Sequence, residues 1–277
     1  MKFVMVNGTV LHSEEAVIVP FLKNDPLLLT IKMWFGFGGI PLFTENMSET
    51  IEKLRSLNVQ PPPLLLDNQE FFRRVKRMLN KNRCYRSGTF VIQLFIADGK
   101  VDFFAFAKPH TSMQLPANEK GVFANFATYK KYSDGHLKNI QLFNRFFTLS
   151  EQRINTDKNV KPIFLNEKGV VCDAGTANVF IVENKKISTP SLSTGCTSNA
   201  FRNLVLNVAK DLGYSTNESE KIVPTTVLNA DEIFLAEETT GIQWVMGIGN
   251  RRFVHNISNA VNNRLNKVLH SLVERNN

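Results

Sequence analysis

Lys138 stands at the head of an otherwise largely apolar segment, residues 136–147. A lysine amine forms a Schiff base only when it is neutral part of the time, which burial or neighbouring cations bring about. The competing reading is a solvated lysine at a helix start, because lysine is rarely buried. Some thirty residues on, Asp173 lies five positions before Asn178-Val179-Phe180. A carboxylate there can hold a cation, or it can simply close an Asp-Ala-Gly turn. Three cysteines, Cys84, Cys172 and Cys196, have no CxxC spacing, so neither a metal site nor a disulfide framework is indicated and a reducing compartment fits.

The elements that must position these groups are bounded first by size. A chain of 277 residues is long enough for one large core or two medium domains. Its longest apolar runs, such as the one around Phe103 to Ala107, fall far short of the roughly 20 residues a membrane span requires. Residues 1–8 lack the apolar core of a signal peptide, so the expected location is cytoplasmic. The net charge of +8 and pI near 9.4 suit either nucleic acid or anionic small molecules. Arg73, Arg74, Lys76, Arg77, Lys81, Arg83 and Arg86 concentrate the charge, but on a helix whose other face is Phe71, Val75, Met78 and Leu79. That pattern reads as a solvated face, and with no base-stacking or recognition motif beside it, no nucleic-acid partner is expected.

In chain order, residues 3 to 11 alternate around Asn7-Gly8 as a hairpin. Leu27 to Trp34 reads as a strand, and Gly36, Gly38 and Gly39 turn it towards Ile40–Phe43 as a second hairpin. Helical spacing begins at Ser48 and must stop before the prolines at 61–63, and a helix over 68–82 follows. Strands at 89–95 and 101–107 flank Asp98-Gly99. The Pro-containing stretch from Lys108 to Gly121 reads as a linker. Beyond it come a strand at 122–129, a helix over 138–154, strands at 162–165, 169–172 and 179–182, and a helix near 199–212 stopped by Gly213. Strands at 232–235 and 242–248 precede a terminal amphipathic helix carrying Ile257, Val261, Leu265, Val268 and Leu272. The mixture argues for an α+β fold of two domains rather than an alternating parallel sheet. No internal repeat is visible.

Residues 136–147 and Val170–Phe180, taken together, resemble the signature of the class IV (fold type IV) pyridoxal-phosphate enzymes. That family holds branched-chain and D-amino-acid aminotransferases and 4-amino-4-deoxychorismate lyase. The resemblance implies a smaller N-terminal α+β domain at 1–108, a linker at 109–121 and a pyridoxal-phosphate domain with a β-barrel-like core at 122–277. It makes Lys138 the Schiff-base lysine, its motif completed by Leu137, Ile140, Leu142 and Phe143, with Gln141 where the family usually has Asn. Asp173 stands where a glutamate normally contacts the pyridine nitrogen. Asn199, Ala200 and Phe201 align on the phosphate-binding helix start, Lys53 on an arginine that assists it, and Thr239 or Thr240 on a further donor. Pyridoxal 5'-phosphate is the implied cofactor and a homodimer the implied assembly.

Several positions depart from the pattern. Glu238 aligns beside the phosphate, and Asn24-Asp25-Pro26-Leu27-Leu28-Leu29 replaces a motif that includes an active-site aromatic and a polar residue. An arginine that some members use to hold a substrate carboxylate is missing near Ile96. Transamination of an amino acid is the expected reaction. Elimination from 4-amino-4-deoxychorismate, giving 4-aminobenzoate and pyruvate, is the runner-up, with Thr30 the nearest hydroxyl. A homologue that keeps the fold only for binding is the third reading.

Overall fold

The computed structural model describes residues 1–23, 25–116, 118–135, 137–140, 149–151 and 160–276. It divides into two compact units, Met1–Leu115 with Leu269–Asn277, and Pro116–Val268.

The first unit is built on five antiparallel strands, β1 (Phe3–Val6), β2 (Thr9–His12), β3 (Leu27–Phe35), β4 (Ser87–Ala97) and β5 (Lys100–His110), in the order β2-β1-β5-β4-β3. Its two tight hairpins turn at residues that tolerate positive φ, Asn7 (46°) with Gly8 (89°) and Asp98 (50°) with Gly99 (71°). Helices α1 (Phe43–Ser56), α2 (Pro63–Leu66) and α3 (Asn68–Lys81) lie between β3 and β4 in sequence. The Asp67 carboxylate accepts the Glu70 N–H at 2.9 Å and so starts α3. That helix buries Phe71, Val75, Met78 and Leu79 and leaves Arg73, Arg77 and Lys81 in solvent.

One expected hairpin is absent. Gly36 and Gly39 exchange both backbone hydrogen bonds, at 2.9 and 3.0 Å, closing the turn at once. Pro41 has no N–H to give a ladder, and α1 begins at Phe43, five residues before Ser48, so Ile40–Phe43 is not a strand.

The second unit contains β6 (Val122–Lys131), β7 (Val160–Asn166), β8 (Asp173–Ala174), β9 (Ala177–Glu183), β10 (Lys186–Pro190), α4 (Ala200–Asp211), β11 (Ser215–Ser219), α5 (Pro224–Asn229), β12 (Glu232–Glu237), β13 (Gly241–Ile248), β14 (Arg251–Arg252) and the start of α6 (Asn256–Asn276). The order is β11-β10-β9-β12-β13-β6-β7, with β8 on β9 and β14 on β13. The sheet also closes on itself. Leu165 bridges Val171, and Cys172 N–H donates to the Phe164 carbonyl at 2.8 Å, so β7 reaches β8 and through it β9. Ile163, Val171, Val179, Ile233, Leu235 and Val245 are buried together as the core of this ring. Residues 170–172 pair with the end of β7 through a single bridge rather than as a regular strand: they turn the corner, and pairing with β9 begins only at Asp173. Of the helix expected over 138–154, residues 138 and 139 form a turn and 149–151 are helical, while 141–148 and 152–154 lie outside the described residues. Among the described residues no helix is long and apolar enough to cross a membrane.

Candidate functional site

Asp173 is completely buried at the first pairing position of β8, opposite Asn178 on β9. Three donors converge on its Oδ2: Lys131 Nζ at 2.5 Å, Thr197 N at 3.2 Å and Thr197 Oγ1 at 3.1 Å. Lys131 is the last residue of β6 and is itself 6% exposed. A buried charge pair survives only when close geometry and further hydrogen bonds repay its desolvation, and here both are present.

The strand end that carries Lys131 is anchored from the β7–β8 turn. Glu167 accepts Ser133 N at 2.9 Å and Ser133 Oγ at 2.5 Å, and the Ser133 hydroxyl is the main cause that holds the Glu167 carboxyl below its ordinary range. The loop 192–198 must come close to this strand end. Gly195, at φ 85°, permits it, since a Cβ there would lie 2.7 Å from the Tyr132 carbonyl oxygen.

Asn178 and Asn199 connect the carboxylate to the start of α4. Asn178 Nδ2 donates to the Thr197 carbonyl at 2.8 Å, and Asn199 Nδ2 donates to Asn178 Oδ1 at 2.6 Å. Asn199 is the N-cap of α4, its Oδ1 accepting Arg202 N at 2.8 Å. The first amides of a helix have no intrahelical acceptor. With the third taken by the cap, the N–H groups of Ala200 and Phe201 remain suited to an anion. Arg202, 2% exposed, is committed elsewhere, to the Pro190 carbonyl and Glu218, both at 2.8 Å.

Lys138 is half-buried in a short turn whose Ile140 N–H donates to the Leu137 carbonyl at 3.0 Å. Its neighbour Asn139 docks the turn onto the same loop, donating to Leu192 O at 2.8 Å and Cys196 O at 2.6 Å, while Ser198 N–H reaches Asn139 O at 3.4 Å. On the other side, Ala236 of β12 pairs with Asn178, so the Glu237–Gly241 turn begins beside the helix cap. Glu238 and Thr239 in that turn are buried. The structure therefore brings the turn bearing Lys138, Asp173, Asn199, Ala200 and Phe201 around one loop, while Thr239 follows the strand that pairs with Asn178. Lys53 belongs to the first unit, on α1, where it faces Glu49 at 3.7 Å. Burial pushes the Glu49 carboxyl up, and Lys53 opposes it.

Sequence reasoning missed Lys131 and Thr197. The only signals were a strand ending in two lysines and a hydroxyl between Gly195 and the helix cap, and neither identifies a partner 42 or 24 residues away. Cys172 and Cys196 are buried beside the site, and burial is the main cause that raises both thiols, Cys196 to about 11. Among the described residues no group of His, Cys, Asp and Glu is arranged to hold a metal.

The sequence model of the amino-transferase class IV family matches residues 54–248. An aminodeoxychorismate lyase of Bacillus subtilis is 23% identical over 256 residues, covering 86% of this chain and 84% of its own. A probable branched-chain-amino-acid aminotransferase of Synechocystis is 32% identical over 112 residues, 40% of this chain and 36% of that one. Among solved structures, a branched-chain amino acid aminotransferase of Thermobaculum terrenum superposes with a TM-score of 0.82 at 16% identity, over 99% of this chain and 95% of its own. A putative 4-amino-4-deoxychorismate lyase of Legionella pneumophila gives 0.74 at 17% identity, over 88% and 91%. These two likenesses establish a shared α+β architecture of fold type IV. The family match spans well over half of the chain and includes every element around Asp173, so the chain belongs to the class IV aminotransferase family of enzymes.

Proposed function

We propose that the chain is a pyridoxal-phosphate-dependent aminotransferase acting on an amino acid, with Lys138 as its reactive amine. The observation that carries this reading is the loop 192–199, on which the turn of Lys138, the buried carboxylate of Asp173 and the start of α4 all meet. The residues fit the cofactor at both ends. Asp173, buried and ionically balanced by Lys131, faces the demand of a pyridine nitrogen for an anion. The N–H groups of Ala200 and Phe201, with the α4 dipole behind them, suit a phosphate. Thr239 is a further donor on the neighbouring turn, and Lys53 is assigned to the phosphate by resemblance alone. Bound there, pyridoxal phosphate supplies an electron sink for the bond broken at the substrate Cα. The chain's own part is to anchor the cofactor through Lys138 Nζ, to move the Cα proton with the same nitrogen, and to keep the carboxylate dry and fixed.

The test is the 300–500 nm absorbance of the purified protein with pyridoxal phosphate, beside Lys138→Ala. A new band in wild type that the variant lacks, consumed on adding an amino acid, is the expected result. Identical spectra from the two proteins overturn it. Pyruvate released from 4-amino-4-deoxychorismate without an acceptor would assign the lyase reaction instead, in line with the long match to the Bacillus subtilis enzyme. We place the enzyme in the cytoplasm as a homodimer, in keeping with its free cysteines and with the resemblance. Sedimentation at twice 31.4 kDa is the check on assembly.

A further inference from the structure

We infer that Thr197 is a positioning residue for Asp173, setting the plane in which that carboxylate meets its ligand; the inference rests on the cofactor reading above. An aspartate side chain has one freely turning bond to its carboxylate, and sp³–sp² torsions of this kind have broad, shallow wells. Burial does not by itself fix that rotation. Here donors restrain it, and three of them meet on one oxygen. Lys131 Nζ approaches Oδ2 at 2.5 Å from the end of β6. Thr197 adds two donors from the loop before α4, its backbone N–H at 3.2 Å and its hydroxyl at 3.1 Å. Lys131 defines a direction for Oδ2 but does not itself restrain the tilt of the plane about it. Two further donors from a single residue restrain the tilt, and with Oδ2 held the direction of Oδ1 is set as well.

Thr197 is suited to this because it is fixed itself. It is 1% exposed, its carbonyl accepts Asn178 Nδ2 at 2.8 Å, and it lies two residues before the α4 cap Asn199. A β-branched side chain also has few rotamers to lose. The hydroxyl thus ties the carboxylate, which faces the ring end of the cofactor, to the helix start that faces its phosphate end. Both ends are held in one register by the three residues 197–199.

The test compares Thr197→Val, which keeps the backbone N–H and the shape but removes the hydroxyl, with Thr197→Ser, which restores it. Pyridoxal phosphate is titrated into each protein freed of cofactor, followed by absorbance, and thermal unfolding is recorded without cofactor. The expected result is a cofactor Kd raised about tenfold in the Val variant, ~1.4 kcal/mol, and within about twofold of wild type in the Ser variant. The bound-cofactor band should also shift in Val and return in Ser. A Val variant that binds cofactor as wild type does, with an unchanged band, overturns the inference while leaving the cofactor reading intact, whether or not it melts lower. A wild type that takes up no cofactor overturns both.

Discussion

Lys131 and Asp173 form a buried ion pair whose worth depends on both members being present. Removing one leaves the other charged and dry, at a cost of about 3–5 kcal/mol. Lys131→Met should therefore lower stability by roughly that amount in chemical denaturation, even though methionine fills much of the space. The double variant Lys131→Met with Asp173→Asn leaves no charge behind and should recover a large part of the loss, which a double-mutant cycle measures directly. Asp173 was legible in the sequence because it keeps its spacing to Asn178-Val179-Phe180. Its partner was not, because a lysine at the end of a strand reads as solvated, and only the pairing of β6 with β7, and the corner at 170–172, bring Lys131 to it.

At the scale of elements, α4 begins where the site needs it because Asn199 supplies a cap. Its Oδ1 accepts the Arg202 N–H and its Nδ2 donates to Asn178 Oδ1, so one side chain both starts the helix and ties it to β9. Asn199→Ala should cost about 1 kcal/mol, seen as a fall of roughly 2–4 °C in Tm for a protein of this size. The helix was readable in advance from Leu204, Val208 and Leu212 and the stop at Gly213, and it runs Ala200–Asp211. The expected strand at 40–43 fails for a local reason, the mutual bonding of Gly36 and Gly39. The strand at 169–172 is reduced to one bridge, Leu165 to Val171, for a non-local reason, since only the closed ring requires a corner there. Elements dictated by their own periodicity were legible, and those dictated by a distant partner were not.

For the whole molecule, the buried thiols predict how stability responds to alkali. Burial raises Cys196 from 9.0 to about 11 and raises Cys172 as well. The folded chain therefore keeps these protons while the unfolded chain releases them near pH 9. The contribution of Cys196 is fully present below pH 9 and is lost as pH rises towards 11, and Cys172 acts in the same direction. Urea unfolding should give a lower midpoint at pH 10 than at pH 8, and the Cys172→Ala, Cys196→Ala double variant should show a shallower fall. Both thiols should also resist alkylation until the chain unfolds, because the thiolate is the reactive form.

The ring of the second unit closes, but the sheet of the first does not: β3 is an edge strand of nine residues, with Leu27 and Leu28 exposed at its start. A long edge with open hydrogen-bonding groups is a template for stray strands from other molecules. Lys32 points into solvent from the middle of that edge, and a charge in such a place cannot be buried cheaply by an incoming strand. Its consequence lies outside catalysis and folding alike: Lys32→Val should make concentrated protein more prone to aggregate, which light scattering would measure.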